Sequence, residues 1–228
     1  MKAIVNVDRE WGIGKDGHLL VHIPADMKMF RTETTGKIVV YGRKTLETFP
    51  GAKPLKNRVN IILSRNPSYT VEGAYVVHDP EELMKLIETE FPEYGREDVC
   101  VIGGDSIYRL LLPYCSAAVV TRTEASFDAD AWFPNLDEDP AWTCVVVGET
   151  QEFEGIRHAS DGHALGEYQN GTLCYVHGSK SNDERRNFRL GDHKAVEQSE
   201  QEAGENADQE AHNFRHAVPY DGSGREAA

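Results

Sequence analysis

Asp26, Met27 and Phe30 lie at spacings of one, three and four, so on a helix they share one face. That face is otherwise apolar, and a carboxylate on a core-facing stripe is costly unless something pairs with it. Two readings follow. Asp26 either satisfies the first-turn amides of its own helix, or it is a lone acid at the floor of an apolar pocket, holding a ligand with adjacent N–H donors. Three further segments have chemistry of another kind. Tyr41-Gly42-Arg43-Lys44-Thr45 follows a Val-rich run and should open a short helix. Backbone amides at a helix start bind phosphate, and Arg43 and Lys44 add charge; the plain alternative is a polar turn at a strand end. Ile102-Gly103-Gly104-Asp105-Ser106-Ile107-Tyr108 places a glycine pair between a buried strand and a helix, where a ligand can approach the backbone closely. It is not a G-x-G-x-x-G fingerprint. Leu63-Ser64-Arg65 ends a third strand, and a Ser–Arg pair there suits a ribose 2′-phosphate, favouring NADP over NAD. Arg65 could equally be an ordinary surface arginine. Together, three polar segments at strand ends and one buried acid describe a dinucleotide site beside a small pocket.

The elements that would position these residues alternate along the chain. Continuous apolar runs at Ala3–Val7, Ile38–Tyr41, Val59–Leu63, Tyr75–Val77, Val99–Ile102, Ala118–Thr121, Cys144–Val147 and Leu173–Val176 suit strands covered on both faces, as in a parallel sheet. Helices fall between them. Pro24 is placed as a first helical residue and Gly36 as a stop. Asp79-Pro80-Glu81-Glu82 offers a cap, a Pro at the first helical position and a Glu three residues past the cap, with Leu83, Leu86 and Ile87 forming the apolar face. Asp105 opens another helix, with Ile107, Leu110 and Leu111 expected inward and Pro113 ending it. The pattern is α/β, a mostly parallel central sheet with flanking helices. The last two strands have no helix between them and should form an antiparallel hairpin at the sheet edge.

Among 228 residues, 24 Lys and Arg stand against 38 Asp and Glu, a formal charge of −14. That balance argues against sequence-independent binding to nucleic acid or a polybasic membrane contact. No apolar stretch approaches a membrane span, and the first apolar run is too short for a signal peptide. Cys100, Cys115, Cys144 and Cys174 lack a Cys-x-x-Cys pair, so four buried, reduced thiols and no metal site are expected. Composition breaks near residue 180. Residues 181–228 hold only Phe188, Leu190, Val196, Phe214 and Val218 as large apolar groups, with 11 acids against six bases. Such a segment cannot offset the entropy of ordering, so a mostly disordered acidic tail follows a domain at 1–180. Phe188 and Phe214 are candidate anchors for a partner of unknown kind.

Residues 1–180 resemble dihydrofolate reductase. The matching blocks, in order, are Gly12-Ile13-Gly14-Lys15-Asp16-Gly17, Ile23 through Phe30, Val40 through Thr45, Asn57 through Arg65 and Val101-Ile102-Gly103-Gly104, followed by Val120-Thr121 and Phe133-Pro134. The resemblance implies reduction of 7,8-dihydrofolate to tetrahydrofolate by NADPH, in support of one-carbon and thymidylate metabolism. It implies a cytoplasmic enzyme, monomeric, with no metal. Asp26 would be the catalytic acid that grips N3 and the 2-amino group of the pterin, with Thr121 bonded to it. Met27, Phe30, Phe49 and Leu55 would line the pocket, with the carbonyls of Ile4 and Ile102 at the pterin edge and Tyr108 nearby. Arg58 would pair with the glutamate α-carboxylate. NADPH would contact Asn6, Ile13, Gly14, Gly17, Leu19, Gly42, Arg43, Lys44, Thr45, Leu63, Ser64, Arg65, Gly103, Gly104, Asp105, Ser106 and Ile107. Residues Gly12 to Leu20 would form a mobile loop over nicotinamide. Two positions depart from the family pattern. Leu20-Val21 replaces the usual Pro-Trp, and Asn6 replaces a small apolar residue near the nicotinamide amide. A pyrimidine reductase of the riboflavin pathway and a non-catalytic pterin-binding scaffold are the competing readings. Asp26, Phe30 and Arg58 together favour folate.

Overall fold

The structure, a computed structural model, describes residues 1–147, 151–153 and 168–177. The sequence-derived acidic tail, 181–228, lies outside the described residues. The chain runs β1 (Lys2–Val7), β2 (Gly12–Lys15), β3 (His18–Leu19), α1 (Pro24–Thr34), β4 (Ile38–Gly42), α2 (Arg43–Thr48), β5 (Val59–Leu63), β6 (Tyr75–Val77) and α3 (Pro80–Glu90). It continues with β7 (Val99–Gly103), α4 (Asp105–Leu111), β8 (Ala117–Thr123), β9 (Ala131–Trp132), β10 (Trp142–Val147), β11 (Gln151–Phe153) and β12 (Tyr168–His177).

Nine strands form the main sheet in the order β10-β12-β8-β1-β7-β4-β5-β6, with β11 also on β12. From β8 to β6 every pairing is parallel. The strand β12 runs antiparallel to β8 and to β10, so the late strands form the expected antiparallel edge. After β1 the chain moves to one side, to β4, whereas after β7 it moves to the other, to β8. Right-handed crossovers therefore place α1 and α2 on one face and α3 and α4 on the other. Strand alternation sorts the side chains accordingly. Ala3, Val5 and Val7 join Val99, Val101, Ala118 and Val120 in the core with Leu83, Ile107 and Leu111 of α3 and α4. Ile4, Asn6 and Thr121 point to the opposite face, that of α1.

Local chemistry sets the helix ends. Pro24 opens α1, and beyond its end Gly36 takes φ +74°, a left-handed value that glycine adopts without strain. The Asp79 side chain accepts from the Glu82 N–H at 2.8 Å, and Pro80 follows it. Two expectations need correction. Leu110 is 42% exposed, because the inward stripe of α4 is Ile107, Tyr108 and Leu111, centred on the large ring. Cys100 and Cys115 are buried, their thiols pushed up by desolvation to about 11 and about 12, but Cys144 is exposed on the edge strand β10. The side chain of Cys174 is outside the described residues. No helix among the described residues is long and apolar enough to cross a membrane.

A second, three-stranded sheet, β3-β2-β9, has no counterpart in the apolar runs. Asp16 and Gly17, at φ +51° and +79°, make the two-residue turn of the β2–β3 hairpin. The stretch expected as a mobile loop, Gly12 to Leu20, contains this hairpin, paired with β9 at Gly12 and Gly14 with a register shift between them.

Candidate active site

Asp26 sits in the first turn of α1 and is only 8% exposed. Its carboxylate turns towards the sheet instead of capping its own helix. Asn6 of β1 donates from Nδ2 to Asp26 Oδ2 at 3.1 Å. Thr121 stands directly opposite Asn6 in the parallel β1–β8 register. Desolvation raises the Asp26 pKa above the ordinary carboxylate value, while Thr121, Asn6 and the charge of His22 pull it down. The Thr121 hydroxyl is buried, and of the groups that favour the charged carboxylate it contributes most. Asp26 is thus a buried acid turned towards the sheet, not a cap of its own helix.

The walls follow from neighbouring elements. Met27 and Phe30 are half-buried on the Asp26 face of α1. Ile4 is buried in the middle of β1, and Ile102 near the C-terminal end of β7. Tyr108 is buried on the far side of the sheet and donates from its hydroxyl to the Ile4 carbonyl at 2.7 Å, so it shapes that edge through the backbone. Phe49 packs edge-on against Tyr41 at 5.1 Å between ring centroids. Leu55 is held at both backbone groups by Asn60, whose Oδ1 accepts from Leu55 N and from Tyr41 Oη and whose Nδ2 donates to Leu55 O. Arg58 donates from Nε to Thr34 Oγ1 at 2.9 Å and from Nη1 to Lys56 O, which seats the guanidinium beside the end of α1.

The proposed cofactor residues occupy three consecutive strand ends, in the sheet order β7-β4-β5. Gly103 and Gly104, joined by a cis peptide, lead into α4. A β-carbon added at either would lie 3.6 or 3.4 Å from Thr45 Oγ1, so this turn abuts the Gly42–Thr45 turn. One added at Gly42 would lie 2.9 Å from Ile107 Cγ1, which explains why only glycine fits there. Arg43, Lys44 and Arg65 are exposed, Arg43 being paired with Glu47 and Asp105 with Arg109. Ser64 is buried beside the β5 terminus, and Ser106 is exposed on α4. Adjacent strands are about 4.8 Å apart, so these ends span roughly 10 Å of backbone donors and basic groups, a fit for the phosphates of a dinucleotide. Ile13, Gly14, Gly17 and Leu19 lie in the β2–β3 hairpin of the second sheet, with Leu19 58% exposed.

A family model for dihydrofolate reductase matches residues 1–159. The chain belongs to the dihydrofolate reductase family. It is 37% identical over 150 residues to the Mycobacterium leprae dihydrofolate reductase, covering 64% of this chain and 86% of that protein. With the Staphylococcus haemolyticus dihydrofolate reductase it shares 33% over 147 residues, 64% of this chain and 83% of the other. A solved Enterococcus faecalis dihydrofolate reductase, complexed with NADP(H) and RAB-propyl, superposes with a TM-score of 0.61 and 31% identity, covering 78% of this chain and 96% of that one. The resemblance carried by the ordered motifs is thus a family membership.

Three contributors to this dihydrofolate reductase site escaped the sequence reading. Thr123 donates to Asn6 Oδ1 at 3.3 Å. Asn60 pins Leu55. Asp8, 1% exposed, accepts from the backbone of Glu10, Gly12 and Phe127. Each is a buried polar residue in or beside an apolar run, a signal that asks for a partner. Asn6, expected near the nicotinamide, bonds to the acid at 3.1 Å.

Proposed function

We propose that this chain reduces 7,8-dihydrofolate to 5,6,7,8-tetrahydrofolate with NADPH, by hydride transfer to C6 and protonation at N5. The observation that carries the reading is Asp26: a single desolvated carboxylate between the apolar face of α1 and the donors of β1 and β8. A carboxylate there accepts two parallel N–H bonds from an amino-pyrimidinone edge, which fixes the pterin's orientation. NADPH supplies the hydride when bound. The chain supplies binding, alignment and exclusion of water. Gly42 to Thr45, Ser64, Arg65 and Gly103 to Ile107 hold the phosphates and ribose, Met27, Phe30, Phe49 and Leu55 enclose the ring system, and Arg58 meets the glutamate tail. No described acid other than Asp26 serves the pterin in this assignment, so Asp26 favours the protonated substrate through its charge, and water delivers the proton. The product would serve one-carbon and thymidylate metabolism.

The test is NADPH oxidation followed at 340 nm, with and without dihydrofolate, for the native chain and Asp26→Asn. Turnover should need both ligands, and the substitution should lower kcat/KM at neutral pH by roughly tens to thousands of fold, the scale for losing a positioned ionisable group. The deficit should narrow in acid, where substrate is already protonated. An unchanged rate in Asp26→Asn would remove the role.

A further inference from the structure

Asn6 stands on β1 among Ala3, Ile4, Val5 and Val7, and its side chain is only half-buried between two deeply buried polar groups. On one side Thr123, 1% exposed, donates from Oγ1 to Asn6 Oδ1 at 3.3 Å. On the other, Asn6 Nδ2 donates to Asp26 Oδ2 at 3.1 Å. The order of donors matters. A carboxylate only accepts, so an ionised Asp26 demands the nitrogen end of the amide, and the oxygen end is then left for a hydroxyl donor. Thr123 is that donor. Reversing the amide would aim its oxygen at Asp26, which is tolerable only when the acid carries a proton.

We propose that Asn6 is a positioning residue for the acid: held by Thr123, its amide fixes Asp26 Oδ2 and maintains the carboxylate in its ionised form, with the remaining lone pairs of both oxygens turned to the paired N–H donors of the substrate. The proposal rests on the reading of Asp26 as the pterin-binding acid. The groups facing that acid come from four elements. Asn6 lies on β1 and Thr121 on β8; His22 precedes α1, and Tyr108 of α4 acts electrostatically from across the sheet, its hydroxyl engaged on the Ile4 carbonyl. Asn6 Nδ2 and the Thr121 hydroxyl both act on the carboxylate, and Thr123 sets which end of the Asn6 amide points there.

The experiment is a titration of the Asp26 side-chain carboxyl by carbon NMR in the ligand-free full chain, the signal being assigned by its loss in Asp26→Asn. In Asn6→Ala the midpoint should rise by about one pH unit, the equivalent of a hydrogen bond to a charged group worth about 1.4 kcal/mol. Thr123→Val should move it in the same direction by less, and Thr123→Ser, which keeps the hydroxyl, should return it to the native value. The acid limb of kcat/KM should move with the midpoint. A folded Asn6→Ala chain that titrates as native overturns the proposal. So does a Thr123→Ser chain as shifted as Thr123→Val, which also serves if Asn6→Ala does not fold. Failure of the acid's role itself would show separately, as native turnover in Asp26→Asn.

Discussion

Replacing Asp8 should loosen the hairpin beside the active site by an amount that the geometry lets us divide. Its carboxylate sits at the end of β1, 1% exposed. Oδ1 accepts from Glu10 N at 2.9 Å and Gly12 N at 2.7 Å, while Oδ2 accepts from Phe127 N at 2.9 Å. One side chain therefore joins the strap before β2 to the segment after β8. In Asp8→Ala the exposed Glu10 amide can turn to water, but those of Gly12 and Phe127 lose a charged acceptor. At about 1.5 to 2 kcal/mol for each such bond, the loss is about 3 to 4 kcal/mol. For a chain of this size that lowers Tm by roughly 10 °C. Asp8→Asn keeps an oxygen for Glu10 and Gly12 and places an amide nitrogen against the Phe127 N–H, so it should cost about 2 kcal/mol and roughly half the Tm change. Because β2 begins at Gly12, both variants should weaken NADPH, Asp8→Asn by up to about thirtyfold if the whole of that roughly 2 kcal/mol goes into ordering the hairpin on binding. Thermal unfolding by circular dichroism and fluorescence titration with NADPH read the two effects. Asp8→Asn as unstable as Asp8→Ala would refute the division between the two oxygens, and an unchanged Tm in Asp8→Ala would refute the tie altogether.

Two other outcomes follow from the site. Burial raises the Asp26 pKa, so the folded chain binds that proton more tightly than the unfolded one; the associated stability is complete below the ordinary carboxylate value and is lost as pH rises through the raised one. Asp26→Asn should accordingly be more stable than the native chain at neutral pH, with the gap closing in acid; denaturant midpoints at the two pH values measure it, and a less stable variant at neutral pH contradicts the sign. Arg65, exposed just past the end of β5, should matter for the 2′-phosphate alone, so Arg65→Ala should weaken NADPH far more than NADH. Equal losses for both cofactors would take Arg65 off the phosphate.

The inner parallel strands were readable because both of their faces are covered. β4 and β7 are buried at every position, and such strands announce themselves as unbroken apolar runs. The second sheet was not readable. β2, β3 and β9 are four, two and two residues long and hold glycine, lysine and histidine, so their pairing is decided by the Asp16-Gly17 turn and by β9, more than a hundred residues away. Leu110 shows a different limit. A stripe of Ile107, Leu110 and Leu111 and one of Ile107, Tyr108 and Leu111 have nearly the same helical period, and the larger ring took the inward place.

The acid and its donors were unequally legible for a related reason. Asp26 betrays itself locally, as a charge on the apolar face of its own helix. Asn6 and Thr123 become partners only through the register of β1 on β8, which sets Asn6 opposite Thr121. That register is fixed by burial. Ala118 and Val120 face the α3–α4 core, so Thr121 and Thr123 must alternate with them and face α1. A slip of one residue would send Val120 and Arg122 towards Asp26 and bury both threonines among aliphatic side chains. The same alternation that closes the core on one side of the sheet therefore delivers the hydroxyls to the acid on the other. The polar network around Asp26 is specified by hydrophobic residues that never touch it.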